Sequence, residues 1–394
     1  MAAGTGDEVT VLGGGIAGLA TAAALAARGR AVTVLERAAE IAEVGAGLQI
    51  SPNGVAVLDA LGIGAAAREA APHSQAVVLC DGPSGRRVLR MPLGGRPFLL
   101  MHRADLIALL ARAARSAGAR IVTGCAVTQT TATSGGWRLD LADGRTREAG
   151  LLIGADGVGS RLRPALNGTE AAHFTGQVAW RAIVPVDGPA AAEATVEMGP
   201  GRHLVHYPLR DRRAVNLVGV EERDAWTAEG WHHRDDPAAF RTAFAGFAAP
   251  VRALLDRVEE VHLWGLHRHP VAAAWHGPRA ALVGDAAHPT LPFLAQGANL
   301  ALEDAWVLAD ALARWPEAHA LPRYQAIRRA RAVRAIEAAN ANARNYHHAN
   351  SLKRWVGHTG LRAMGAVAPE AMLRRFEWLY GLDVTAAPPG RAQG

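Results

Sequence analysis

The segment Val9-Thr10-Val11-Leu12-Gly13-Gly14-Gly15-Ile16-Ala17-Gly18, continued through an Ala/Leu-rich run to Arg28-Gly29 and then Ala31-Val32-Thr33-Val34-Leu35-Glu36, decides the fold. A short β-branched run predicts a buried strand. The glycines predict a tight turn, and Ile16 to Arg28 reads as a helix with Gly29 placed as its C-cap glycine. Ala31 to Glu36 is a second strand, so the unit is βαβ and implies a parallel sheet. Gly13-Gly14-Gly15-Ile16-Ala17-Gly18 matches G-x-G-x-x-G. The first glycine permits the turn, the second lets a pyrophosphate approach the backbone, and the third lets helix and strand pack closely. The helix N-terminus offers free N–H groups and partial positive charge to phosphates. Glu36, ending the next strand, is placed to accept hydrogen bonds from ribose hydroxyls.

The same style returns downstream. Asp105 to Ala117 reads as a helix leading to the strand Arg120-Ile121-Val122, and Asp143-Gly144 is a hairpin turn between Trp137 to Leu141 and Arg145 to Ala149. Leu151-Leu152-Ile153 is a buried strand ending at Gly154-Ala155-Asp156-Gly157, and Ala280 to Val283 is another ending at Gly284-Asp285. Between Ala171 and Pro270 β-type runs dominate (Ala182 to Val186, Leu204 to Leu209, Ala214 to Val220), followed by a helical stretch from Pro237 to Val258. From Asn299 onward the chain reads as helical, and the Pro/Gly-rich tail from Ala386 reads as disordered. The expected organisation is therefore a discontinuous α/β dinucleotide-binding domain of the Rossmann type over 1–75, 100–170 and 271–345. A mostly antiparallel β domain for substrate is inserted over 76–99 and 171–270, and a C-terminal helical segment with the tail covers 346–394.

Composition narrows the chemistry. The 42 basic residues exceed the 36 acidic ones among 394, giving a net charge of +6, yet Lys353 is the only lysine. No Gly-Lys-Ser/Thr phosphate loop exists, and a Schiff-base lysine could only be Lys353. Cys80 and Cys125 are the only cysteines, which argues against zinc-cluster chemistry. The arginines are dispersed among acids without a basic block, so nucleic-acid binding is not expected. The positive balance suits acidic small molecules or dinucleotides. The apolar run from Val9 is preceded by Asp7 and Glu8, unlike a secretory signal. With no long apolar span, no membrane association is expected, and the cytoplasm is the expected location. His232-His233 and His347-His348 are adjacent pairs without metal-ligand spacing. They read as solvated residues, so no metal site is expected.

Three motifs act together: the first glycine turn, the Gly154–Gly157 stretch followed by Val158-Gly159-Ser160-Arg161, and Gly284-Asp285-Ala286-Ala287-His288-Pro289. Ligands of open α/β sheets bind at the carboxyl ends of strands. The set resembles the class A flavoprotein monooxygenases of the p-hydroxybenzoate hydroxylase type, in particular the salicylate, hydroxybenzoate and 6-hydroxynicotinate hydroxylases. Gly45-Ala46-Gly47-Leu48-Gln49, Ser51-Pro52-Asn53, His102-Arg103-Ala104-Asp105-Leu106, Trp180-Arg181, Gly201 to Pro208, and Gly284 through Gln296-Gly297-Ala298-Asn299 to Glu303-Asp304 extend the resemblance to about Ala343.

By that resemblance, Gly13, Gly15 and Ala17 line the FAD pyrophosphate, Glu36 and Arg37 the adenosine, and Val127 the adenine. Arg103 contacts the FAD, Asp156 serves FAD and the nicotinamide cofactor, Asp285 holds the ribityl chain, and Gly297, Ala298 and Asn299 present backbone N–H groups to the flavin ring. NADH or NADPH reduces FAD, O2 adds to the reduced flavin, and the hydroperoxide hydroxylates a small phenolic aromatic acid. A 6-hydroxynicotinate-like heteroaromatic or a secondary metabolite is the alternative substrate. A phenol must be deprotonated to activate its ring, and a base with a pKa near neutrality suits that task. His203 matches the position of the proposed base in the hydroxybenzoate and hydroxynicotinate enzymes, with Tyr207 four residues on: on a strand, His203, Val205 and Tyr207 share one face and His206 the other. Gln296 and the apolar Leu291, Pro292 and Phe293 border the expected pocket. A flavin-dependent halogenase needs a lysine near the substrate and a second tryptophan where this chain has Ala182. A flavin-binding protein without oxygenase activity would leave His203 and Tyr207 unexplained. A homodimer is compatible with the sequence but not specified by it.

Overall fold

The structure, a computed structural model, describes residues 8–41, 47–225, 233–347 and 350–386. Val9–Leu12 and Val32–Leu35 are strands buried along their whole length. Both faces are covered, which is why they read as unbroken apolar runs. Among the described residues they belong to a six-stranded sheet in the order 276–277, 280–282, 151–154, 9–12, 32–35, 120–122. All of its pairings are parallel except the edge pairing of His276 with Ala281 and Gly277 with Ala280. Helices Ile16–Ala26, Arg103–Ser116 and Gly297–Arg314 pack together beside it.

A second, eight-stranded sheet runs 234–235, 261–268, 173–185, 214–222, 202–209, 193–199, 76–81, 86–92. Only the pairing of Glu193–Gly199 with Ala76–Asp81 is parallel. One face is closed by Phe240, Phe244 and Phe247 packed on Trp180, with the Trp180 and Phe240 rings stacked at 5.3 Å. The single helical stretch expected over 237–258 is instead two short helices, Pro237–Ala243 and Ala249–Leu255. The three phenylalanines between and within them fill the sheet face, which one straight helix would not do. Residues of the other face, Val218 and Val220 among them, line a cavity that also reaches Gly13 and Gly15.

Beyond Glu317–Tyr346, helices Ser351–Val367, Ala371–Arg375 and Glu377–Tyr380 follow. Ser351–Val367 lies so close to strand Arg86–Pro92 that a Cβ on Gly365 would stand 2.6 Å from the Leu89 side chain. Phe98 meets Tyr380 edge-on at 5.2 Å. The C-terminal segment is thereby fastened against the edge strand of the eight-stranded sheet and against Phe98. No helix among the described residues is long and apolar enough to cross a membrane. Gly45, Ala46, His232, His348 and the tail from 387 lie outside the described residues.

Candidate active site

A cavity of about 1170 Å³ runs from the glycine turn to the eight-stranded sheet. At one end lie Gly13, Gly15, Ala17, Glu36, Arg37, Arg103, Val127, Asp156, Asp285, Gly297 and Ala298. Gly13 has φ +99, and a Cβ there would stand 2.5 Å from the Ala155 carbonyl oxygen. A Cβ on Gly18 would meet the Gly13 carbonyl at 1.9 Å, whereas one on Gly15 would meet nothing within 4 Å. Two glycines are thus required by packing, while the third keeps backbone open to the groove. Glu36 accepts from the backbone N–H of Gly14 at 2.6 Å and of Ala38 at 2.8 Å, which fixes its carboxylate at the mouth.

Asp156 accepts from the Arg161 N–H through Oδ2 at 2.7 Å, while its enclosed Oδ1 has no partner among the described residues. Burial raises the Asp156 carboxyl pKa above its ordinary range against the pull of its hydrogen bonds. Asp285 is likewise pushed up by burial, with His288 and Arg103 opposing. An orphaned acceptor and an enclosed acid beside a glycine cradle are what hydroxyl donors on a dinucleotide would satisfy.

Gln296 and Asn299 do not line the cavity; their side chains turn inward. Asn299 accepts from the Ser51 N–H at 3.0 Å and donates to the Gln49 and Ala295 carbonyls at 3.0 and 2.8 Å. Gln296 donates to Ser51 Oγ at 3.0 Å, Ser51 Oγ donates to Asn53 Oδ1 at 2.6 Å, and Asn53 Nδ2 donates to Gln296 Oε1 at 3.2 Å and Glu303 Oε1 at 2.6 Å. Each donor in this closed circuit has an acceptor, and such satisfied networks rigidify a core. It fixes the start of helix Gly297–Arg314, whose N-terminal Gly297 and Ala298 face the groove. The Ser51-Pro52-Asn53 stretch, without an assigned task in the sequence, holds that helix end in place.

The floor of the other half is one face of the eight-stranded sheet. His203, Val205 and Tyr207 all line it, as strand alternation predicts, while His206 faces away toward Glu197 at 3.5 Å. Their cross-strand neighbours Met198, Val218 and Val220 line it too, with Arg181 on the row of Val218. Pro292, Phe293 and Leu294 form a wall; Leu291 does not reach the cavity. The roof is the C-terminal segment, through Arg354, His358, Leu361, Met372, Phe376 and Tyr380. The sequence alone offered no role for these helices, because nothing local marks a helix as the cover of a distant sheet.

His203 is 2% exposed. Its Nδ1 lies 2.6 Å from Nε2 of His347, and His347 Nδ1 lies 2.9 Å from Glu222 Oε1. The expectation of a solvated His347 is corrected: it is buried at the end of helix Glu317–Tyr346, against the hairpin that carries His203. Its carbonyl accepts from the Gly201 N–H at 3.3 Å. Burial, with His347 adding to it, holds the His203 pKa well below the usual imidazole value, so at neutral pH the ring is uncharged. Burial pushes the Tyr207 hydroxyl up, against Arg181, so it remains a protonated donor.

Residues 7–339 match the FAD binding domain family, and the chain belongs to it. Within that family it is a class A flavin monooxygenase, an FAD-dependent aromatic hydroxylase. It is 34% identical over 397 residues to a 3-amino-4-hydroxybenzoate 2-monooxygenase of Streptomyces platensis, with 97% of each chain covered. It is 35% identical over 402 residues to the 3-hydroxybenzoate 6-hydroxylase of Polaromonas naphthalenivorans, covering 95% of this chain and 96% of that one. The crystal structure of Klebsiella pneumoniae HpxO complexed with FAD and uric acid superposes with a TM-score of 0.81 at 26% identity, over 93% of this chain and 96% of that one.

Proposed function

We propose that this enzyme hydroxylates a small phenolic aromatic acid of the hydroxybenzoate type at the expense of NADH or NADPH, in the cytoplasm. The observation that supports it most is the placement of an uncharged buried imidazole, His203, and a protonated Tyr207, four residues along the same strand face, on the floor of a cavity continuous with the FAD groove. FAD, when bound and reduced, supplies the activated oxygen; the protein's residues handle the substrate. The glycine turn, Glu36, Asp156 and Asp285 would hold the cofactor, and the N-terminus of helix Gly297–Arg314 would favour negative charge on its ring.

His203 Nδ1 is engaged with His347, which leaves Nε2 to accept the phenolic proton. Removing that proton makes the ring electron-rich where oxygen must add. Tyr207 donates a hydrogen bond to the substrate and orients it. Arg181, Arg354 and Arg375 line the cavity and suit a carboxylate substituent. Arg181 stands on the same sheet face as His203, two strands across and two residues along, or about 12 Å. That separation lets one ring reach both groups. The Phe293 wall and the Leu361, Met372 and Phe376 side chains of the roof give the reacting position an apolar surround.

Purified holoenzyme should be yellow, and its oxidation of NADH or NADPH should be stimulated by one or more of 3-hydroxybenzoate, 3-amino-4-hydroxybenzoate, salicylate, 4-hydroxybenzoate and 6-hydroxynicotinate, with a hydroxylated product found by mass spectrometry. Stimulation and product from none of them would remove the proposed substrate class. His203→Ala should retain FAD but lose coupling of cofactor oxidation to hydroxylation; unchanged coupling would remove His203 as the base.

A further inference from the structure

We propose that His347 and Glu222 extend His203 into a proton relay, carrying the substrate's phenolic proton from the cavity floor to solvent. The inference rests on the phenol-hydroxylating reading above and assigns two residues to it.

The geometry is a gradient of exposure along a continuous chain. His203 lies on the cavity floor, and the His347 side chain behind it is 2% exposed. Glu222 follows with a side chain 54% exposed. The links are 2.6 and 2.9 Å. A neutral His347 paired with an ionised Glu222 must donate from Nδ1, because a carboxylate only accepts. Its Nε2 is then an acceptor, so His203 must donate from Nδ1, and the His203 nitrogen left for the cavity is an unprotonated Nε2. The two contacts therefore fix both tautomers in the sense that a base on the cavity side requires. Gln177 Nε2, a donor 3.4 Å from the same His347 Nδ1, could bond it only in the other tautomer, and the shorter carboxylate contact at 2.9 Å sets Nδ1 as the donor.

The backbone holds the chain in place. Glu222 donates its N–H to Gly201, and Gly201 donates to His347, so all three relay residues are pinned to one hairpin turn. Burial opposes charge on His203, so this imidazole is poorly suited to storing the proton it removes. A route onward resolves that conflict. Burial, with Arg202, disfavours charge on His347 too, against the pull of Glu222 and of the C-terminus of helix Glu317–Tyr346 that it caps, so the proton crosses His347 by tautomer exchange without charging the ring. The other charged group facing His347 is Arg202, which opposes its protonation and is itself paired with Glu221 at 3.3 Å. The rings of Tyr346 and Phe293, both uncharged, also pack against His203, as do its apolar cross-strand neighbours Met198 and Val220.

The step balances without a redox partner. The phenol O–H bond breaks and its proton bonds to His203 Nε2. The His203 Nδ1–H proton passes to His347 Nε2, and the His347 Nδ1–H proton passes to Glu222. The phenolate stays in the cavity, accepting a hydrogen bond from His203 Nε2–H. Both imidazoles remain neutral with their tautomers exchanged, and Glu222 releases its proton to water. His347 and Glu222 act through His203 and do not touch substrate.

The test uses oxidised holoenzyme without reductant, mixed in a stopped-flow instrument with whichever phenol of the panel above the wild type hydroxylates. Proton release is followed by an indicator dye and ionisation by the phenolate absorbance. Glu222→Gln and His347→Gln should slow both signals roughly tenfold or more at neutral pH. The deficit should shrink as pH rises and the phenol arrives already ionised, with FAD content unchanged. Glu222 is on the surface, so Glu222→Gln carries the test if His347→Gln folds poorly. Wild-type rates in a folded Glu222→Gln would overturn the relay while leaving hydroxylation intact. A wild type that hydroxylates none of the phenols would overturn the underlying reading and the relay together.

Discussion

Arg328 Nη1 and Glu303 Oε2 lie 2.5 Å apart with both side chains wholly buried. Arg328 also pairs with Asp304 at 2.8 Å, Arg331 pairs with Glu303 at 2.7 Å, and His288 contacts Asp304. This cluster ties helix Glu317–Tyr346 to helix Gly297–Arg314 and, through the Gly284 N–H on Asp304 at 3.0 Å, to the turn carrying Asp285. Removing one member of a buried pair strands the other charge, at a cost of about 3–5 kcal/mol. Arg328→Met should lower the denaturant midpoint of the apo-protein accordingly and reduce FAD retention; an unchanged midpoint would mean the cluster is dispensable.

The same cluster sets an acid limit. Burial pushes the Glu303 and Asp304 carboxyls up, but the facing cations more than offset it, so both sit below the ordinary range. A depressed folded pKa contributes stability that is present above about pH 4 and is lost as pH falls through the folded values. Unfolding measured from pH 7 downward should show stability declining below that point. Glu303→Gln should be the less stable protein at neutral pH, and the gap should narrow in acid. A constant gap would contradict the assignment.

The glycine turn separates packing from ligand space. Gly13→Ala forces a Cβ into the Ala155 carbonyl at φ +99 and should fold poorly or lose FAD. Gly15→Ala meets nothing in the protein, so the apo-protein should keep its stability while FAD affinity falls about tenfold or more, which corresponds to ~1.4 kcal/mol. Flavin fluorescence titration beside apo-protein melting distinguishes the two. Equal FAD affinity in Gly15→Ala and wild type would place the pyrophosphate elsewhere.

Asp156 illustrates a cost retained for binding. Its folded pKa is raised, so native protein holds the proton more tightly than unfolded chain, and stability falls as pH rises through that window. Asp156→Asn removes the penalty. The apo-protein should be more stable at neutral pH, while FAD affinity drops about tenfold because the ionised acceptor is gone. A variant less stable than wild type would show that the Arg161 contact outweighs burial.

Arg181 is the candidate carboxylate partner. Charge-assisted hydrogen bonds are worth about 1.5–3 kcal/mol. Arg181→Met should therefore raise KM for a hydroxybenzoate roughly tenfold or more, change kcat less, and leave the KM of a phenol lacking the carboxylate unaffected. Equal effects on both substrates would assign Arg181 a structural task at the Trp264 ring, which it approaches at 4.9 Å.

The nucleotide half of the protein was legible in the sequence because its signals are local. A glycine turn between a strand and a helix fixes its own geometry within a few residues, and Gly13, Glu36, Asp156 and Asp285 sit at strand ends that the apolar runs mark. The two-residue period of a strand likewise suffices to put His203, Val205 and Tyr207 on one face. The direction of Gln296 and Asn299 was not legible: whether a side chain at a helix start faces a groove or the core depends on the Ser51–Asn53 turn, far away in sequence. The roof formed by the C-terminal helices and the contact of His347 with His203 were also hidden. They join segments separated by more than a hundred positions, and no periodicity or spacing encodes such a pairing. Local residue patterns were therefore enough to define the cofactor cradle and the face of the reacting strand. What closes over that strand, and where a proton leaving it can go, depends on long-range packing and emerges only when the chain is folded.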